Sequence, residues 1–146
     1  MSERPVGYME RSQQVSEEKA KESARPVVMV VDDVADIRSF LHAWLEQHDY
    51  RVLEAEGGQK AIELAERERP DLILMDISMP GGDGLNATVQ LREREGLRNV
   101  PVVVLSANGT EYYRAAALAA GCDEYLVKPL DPGKLEAALS RLLPAS

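Results

Sequence analysis

Residues 71–84 read D-L-I-L-M-D-I-S-M-P-G-G-D-G, and this stretch decides the fold. Leu72, Ile73, Leu74 and Met75 form a short continuous apolar run bounded by turn residues, the pattern of a strand buried on both faces of a parallel sheet. Asp76 closes the run. A desolvated carboxylate has to be paired, metal-bound or at the surface. At the carboxyl end of a parallel strand it enters the crevice where open α/β sheets bind ligands. Residues 77–82 include Pro80, Gly81 and Gly82 and continue neither strand nor helix, so a tight loop is expected around Asp76.

Outward from this strand, the chain from Pro26 alternates apolar runs with helical periodicity, the signal for βαβ units and a parallel sheet. Five pairs are expected. The first is a strand at 27–31 and a helix at 35–47 whose stripe of Ile37, Phe40, Leu41, Trp44 and Leu45 reads as core. A second strand at 51–55 is broken by Gly57 and Gly58. The next helix is marked by Ala61, Ile62, Leu64 and Ala65, and Pro70 stops it. A third helix is expected over 85–95, a fourth strand over 100–105, and an alanine-rich helix over 111–120 closed by Gly121. A strand at 124–127 follows. The last helix, 133–143, starts behind Asp131 as N-cap and Pro132 at its first position.

With 146 residues, 45% of them hydrophobic, the chain has one domain's worth of core. Residues 1–25 carry five acids, five bases and few sizeable apolar groups, and are expected to be a disordered tail, with at most a transient helix behind Ser16. The folded domain is expected over 26–146. Seventeen basic against twenty-five acidic residues leave a formal charge of −8, which argues against nucleic acid and anionic membrane as partners. No apolar run approaches the roughly 20 residues that cross a bilayer, and no signal-peptide pattern opens the chain. The lone Cys122 reads as a small core residue and excludes an internal disulfide, so a reducing cytoplasm is expected. His42 and His48 have no ligand-spaced partner and read as surface or core-edge residues.

The polar residues at strand ends carry the chemistry. Asp32 and Asp33 follow the first strand, Asp76 the third, Ser106 the fourth and Lys128 the fifth, so in a parallel sheet all five share one edge. Taken singly they read blandly, as a helix cap, a buried ion pair, a turn serine and a surface lysine. Together, three carboxylates in one place would raise their own pKa values unless a cation compensated. Mg²⁺ suits such an open site of few carboxylates with waters and phosphate oxygens. Lys128 adds a point charge for a phosphate oxygen or for Asp76, and the Ser106 hydroxyl can bond another oxygen. The set has the character of a carboxylate nucleophile that takes up a phosphoryl group.

The segments V-M-V-V-D-D (28–33), L-M-D-I-S-M-P-G-G-D-G (74–84), V-V-L-S-A (103–107) and A-G-C-D-E-Y-L-V-K-P (120–129) resemble the receiver domains of two-component response regulators, in order and spacing across residues 26–143. The resemblance implies a flavodoxin-like doubly wound (βα)5 fold with a five-stranded parallel sheet in the order 2-1-3-4-5. It implies Asp76 as phosphoacceptor, Asp33 as a direct Mg²⁺ ligand, Asp32 as a ligand through water, and the Ser78 backbone carbonyl as a further ligand. It further implies that Ser106 and Lys128 bind phosphoryl oxygens, that the Lys128–Pro129 bond is cis, and that Tyr125 is a switch aromatic responding to Ser106. Ser78 and Asn108 fall where the family tunes the lifetime of the acyl phosphate. The implied donor is a histidine kinase or histidine phosphotransfer protein. Such a protein is no enzyme beyond its own phosphorylation and dephosphorylation.

Other readings fit less well. A haloacid-dehalogenase-type phosphatase looks for a carboxylate two residues after the nucleophile, where this chain has Ser78. A flavodoxin-like electron carrier needs a phosphate loop after the first strand, where this chain has D-D-V-A-D. A degenerate receiver would lack one of the five site residues. Only Pro144, Ala145 and Ser146 follow Leu143, so the expected output is binding of a protein target rather than an attached effector domain, by a monomer or a phosphorylation-dependent dimer.

Overall fold

Five apolar runs pair in parallel: β1 (Val27–Val31), β2 (Arg51–Ala55), β3 (Leu72–Asp76), β4 (Val102–Ser106) and β5 (Glu124–Val127). Their order is β2-β1-β3-β4-β5. The computed structural model describes residues 24–144, and the expectations for the tail over 1–25 and for a helix behind Ser16 fall, but for residues 24 and 25, outside it. β3 lies at the centre, with Ile73 in register with Met29 of β1 and Val102 of β4, and Asp76 opposite Leu105. All five β3 residues are buried, which is why this run shows no polar alternation.

Successive strand side chains point to opposite faces, so the same strands feed two apolar layers. Met29, Ile73, Met75 and Val104 pack with Ile62 and Leu91 on one side, whereas Val28, Leu74, Val103 and Leu105 pack with Leu45 and Leu139 on the other. Helices α1 (Ala35–Gln47) and α5 (Pro132–Leu142) therefore cover one face, and α2 (Gly58–Glu68), α3 (Asp83–Glu93) and α4 (Glu111–Ala120) the other. This is the flavodoxin-like doubly wound architecture. Asp131 caps α5 by accepting from the Gly133 amide at 2.8 Å, and α4 ends at Gly121 with φ 108°.

Three expectations are corrected. First, β4 begins at Val102 and not at Val100, because the Val100 amide closes a turn onto the Leu97 carbonyl at 3.3 Å and Pro101 has no amide to give. Second, α3 runs over Asp83–Glu93, and a 3₁₀ turn over Pro80–Gly82 leads into it. Pro80 presets the first φ of that turn, and Gly81 and Gly82 take φ 74° and 69°, values that cost only glycine little. Third, the α1 stripe is narrower than its spacing suggests. Leu41 and Leu45 are buried and Trp44 packs partly against them. Phe40, by contrast, is 69% exposed and Ile37 is exposed too, because they line an open groove with Leu105, Pro129 and Leu130 that no further element among the described residues covers. Leu45→Ala is accordingly expected to destabilise the fold by about 2–5 kcal/mol, and Phe40→Ala by no more than about 0.5 kcal/mol. Equilibrium urea unfolding of the two variants checks the contrast.

The remaining minor residues stand as expected. Cys122 is buried, and burial pushes its thiol up to about 11. His48 stacks on Trp44 with ring centroids 3.9 Å apart. His42 lies between Glu46 and Glu54, 2.8 Å from each.

Candidate functional site

β1 and β3 are neighbours in the middle of the sheet, and their carboxyl ends deliver Asp32 and Asp76 to one crevice. Both are buried; Asp33, the next residue, is exposed. Oxygen atoms of Asp32, Asp33 and Asp76 all lie within 4.8 Å of one another. Asp76 Oδ1 accepts from the Ser78 amide at 2.7 Å, and Asp76 Oδ2 accepts from Lys128 Nζ at 3.0 Å. Lys128 also stands 3.8 Å from Asp32 Oδ2. It reaches the crevice from the end of β5, where the Lys128–Pro129 peptide bond is cis, as the resemblance implies.

The electrostatics of the pair are asymmetric. Burial, helped by the neighbouring Asp76 carboxyl, pushes the Asp32 carboxyl up to about 6. Burial pushes Asp76 the same way, but the neighbouring Asp32 carboxyl and the hydrogen bonds from the Ser78 amide and Lys128 outweigh it and hold Asp76 below the usual carboxylate range. One lysine does not balance three carboxylates. Asp32 Oδ1 accepts from the Val34 amide at 2.9 Å, yet its buried Oδ2 has no hydrogen-bond partner among the described residues. An unsatisfied buried carboxylate oxygen within a set of oxygen donors is the environment of a hard divalent cation.

Ser106 closes β4 beside this crevice. Its hydroxyl donates to the Asn108 carbonyl at 3.2 Å and accepts from the Asn108 amide at 3.0 Å, a local serine turn. Tyr125 donates its hydroxyl to the same Asn108 carbonyl, and its ring is buried under the Arg114 guanidinium, 5.1 Å from the centroid. The ring of the expected switch residue thus already lies inside, with Ser106 still bonded to its own turn.

Several contacts escaped the sequence reading. The Ser78 hydroxyl accepts from the Ala107 amide at 3.2 Å, tying the loop after β3 to the loop after β4. Arg38 of α1 donates to the Asp32 carbonyl at 2.7 Å and to Glu54 at 3.2 Å, so a cation from the helix supports the acidic loop from behind. The one sequence signal for Arg38 is its position a helical turn beyond Val34, which places it back over the Asp32–Asp33 step.

The family profile of the response regulator receiver domain matches residues 28–140. The chain belongs to that family. Receiver domains are signalling modules of two-component systems, and the site described above occupies the edge that carries the family's motifs. Transcriptional regulatory protein ResD of Bacillus subtilis is 40% identical over 116 residues, covering 80% of this chain and 47% of ResD. The chain spans about half the length of the curated relatives it matches. Among solved structures, chemotaxis protein CheY4 of Vibrio cholerae superposes with a TM-score of 0.77 at 29% identity, over 82% of this chain and 100% of that one. The receiver domain of sensor histidine kinase PA1611 of Pseudomonas aeruginosa PAO1 does so with a TM-score of 0.75 at 36% identity, over 82% and 98%. That protein holds a magnesium ion coordinated in its active-site cleft. Among the described residues of the present receiver, no helix is long and apolar enough to cross a membrane.

Proposed function

We propose that this receiver takes a phosphoryl group from a phosphohistidine of a histidine kinase or histidine phosphotransfer protein onto Asp76, with Mg²⁺, and signals by phosphorylation-dependent binding of a protein target. The observation that carries the reading is the pairing of the Asp76 carboxylate with Lys128 at 3.0 Å inside a group of three close carboxylates. Asp33 directly, Asp32 through water, Asp76 and the Ser78 backbone carbonyl would hold Mg²⁺, which supplies positive charge against the phosphoryl oxygens when bound. A carboxylate oxygen of Asp76 forms the new bond to phosphorus as the donor's P–N bond breaks. The imidazole departs with that electron pair and, protonated on its other ring nitrogen, leaves neutral. Lys128 and the Ser106 hydroxyl would take phosphoryl oxygens, so that positioning and charge do most of the work. Incubation with a small acyl-phosphate donor tests the reading. The expected product is a Mg²⁺-dependent, hydroxylamine-sensitive label at Asp76, and a label on any other residue would contradict it.

The output follows from the Asn108 carbonyl, which Ser106 and Tyr125 share. A phosphoryl oxygen that draws the Ser106 hydroxyl away leaves Tyr125 as the donor that remains there, and the surface formed by α4, β5 and α5 is biased accordingly. Arg114 of α4 lines a groove on it with Tyr125, Pro129 and Lys134.

The lifetime of the acyl phosphate rests on Ser78 and Asn108. Hydrolysis needs a water held in line with the departing carboxylate oxygen. The Ser78 hydroxyl accepts from the Ala107 amide and is short, whereas Asn108, whose Oδ1 accepts from the Thr110 amide at 2.9 Å, keeps an amide nitrogen to orient a water. It cannot act as a general base. Ser78→Asn is expected to speed decay by adding a second orienting amide, and Asn108→Leu to slow it. A neutral hydrogen bond of about 1 kcal/mol corresponds to roughly fivefold in either case. Decay of labelled protein at saturating Mg²⁺, after removal of the donor, measures both; equal rates in all three proteins would remove these residues from the role.

A further inference from the structure

Helix α2 begins on Gly57 and Gly58 and has no capping side chain of its own. The cap comes from another helix. Asp83, the first residue of α3, places Oδ2 2.5 Å from the Gly58 amide nitrogen, so a carboxylate meets the positive end of α2. The two glycines make the room for it. A Cβ on Gly58 would stand 2.6 Å from Asp83 Oδ1 and 2.9 Å from the Asp83 carbonyl oxygen, whereas one on Gly57 would stand 3.3 Å from Oδ2. The residue after Asp83 is pressed against the site itself, since a Cβ on Gly84 would lie 2.4 Å from the Asp76 carbonyl oxygen and 3.1 Å from Ile77 Cα. The Asp83–Gly84 step is thus wedged between the start of α2 and the end of β3. Residues 77–82, with Ser78 among them, span the interval between Asp76 and that wedge.

We propose that Asp83 is a positioning residue for the metal site: by gripping the Gly58 amide across the helix gap, it fixes the loop that presents Ser78. This rests on the reading that Asp32, Asp33, Asp76 and the Ser78 carbonyl bind Mg²⁺. The grip restrains the far end of the loop, while the Ser78 amide's bond to Asp76 Oδ1 restrains the near end. Released from α2, the two left-handed glycines at 81 and 82 give the loop freedom to swing its carbonyl off the crevice. The same grip can be broken from either side, by removing the carboxylate or by filling its place.

The test is the Mg²⁺ dissociation constant of the unphosphorylated protein, measured by calorimetric titration well below the unfolding temperature. Removal of an outer partner of a metal ligand typically weakens metal binding 10–100-fold, so Asp83→Ala and Gly58→Ala are each expected to raise the constant by about tenfold. Asp83→Asn keeps an acceptor for the Gly58 amide and is expected to stay within about threefold of the parent. Gly57→Ala, with its looser approach, should fall between the parent and Gly58→Ala. Asp71→Ala serves as the stability control, because Asp71 accepts from the Val27 amide at 2.7 Å at the opposite edge of the sheet. It is expected to lower the unfolding midpoint without moving Mg²⁺ affinity. Parent-like affinity in both Asp83→Ala and Gly58→Ala would overturn the positioning role alone. Failure of the parent to bind Mg²⁺ would overturn the metal site and this inference with it.

Discussion

Asp76→Asn protein is expected to take up no phosphoryl group from a small acyl-phosphate donor under conditions in which the parent is labelled to near stoichiometry. The substitution is close to isosteric. The amide oxygen can still accept from the Ser78 amide, which now bonds Oδ1 at 2.7 Å, so the loop after β3 keeps its near-end restraint. What disappears is the anionic oxygen paired with Lys128 at 3.0 Å, and a neutral amide is no nucleophile toward phosphorus. The removed charge belongs to a crowded pair, in which Asp32 is already pushed up to about 6 by burial and by the neighbouring Asp76 carboxyl. Relief of that crowding offsets the lost ion pair, and the unfolding midpoint is expected to stay close to the parent's. Mass spectrometry of the intact variant after donor treatment reads the outcome. Parent-like labelling of the variant would move the phosphoacceptor to another residue.

Asp33→Asn is expected to lose the Mg²⁺ dependence of labelling together with most of its rate, on the order of a hundredfold. Asp33 is the cleanest of the three carboxylates to remove. Asp32 is buried and holds the Val34 amide through Oδ1, so its loss disturbs the turn into α1 as well as the charge. Asp33 is exposed, and surface substitutions away from special features usually change stability by no more than about 0.5 kcal/mol. A large effect on Mg²⁺-dependent labelling without an effect on unfolding would therefore isolate ligation from folding. The measurement is the labelling rate as a function of Mg²⁺ concentration in parent and variant. Superimposable curves would falsify the assignment of Asp33 as a ligand.

Much of this protein is written locally in its chain. Continuous apolar runs such as 72–75, separated by helical stripes and punctuated by Pro70, Gly121 and the Asp131–Pro132 start, set the alternation of strands and helices, because each signal acts within a few residues of itself. The same locality explains why a single sequence brings the site into view: a polar residue at the end of a buried strand can only emerge at the strand's edge, and parallel strands share that edge. What tertiary structure alone decided depends on distance through space. Whether a helix residue is core or surface depends on what packs over it, so Leu41 and Leu45 are buried while Phe40, at the same helical spacing, is exposed. The boundaries of α3 and β4 depend on backbone hydrogen bonds to a turn and on glycines at positive φ, not on composition. The Asp83 contact with Gly58 joins residues 25 apart in sequence, and the Ser78 contact with Ala107 joins residues 29 apart. Periodicity carries no trace of such pairs, since each exists only once the helices have packed and the strands have come into register.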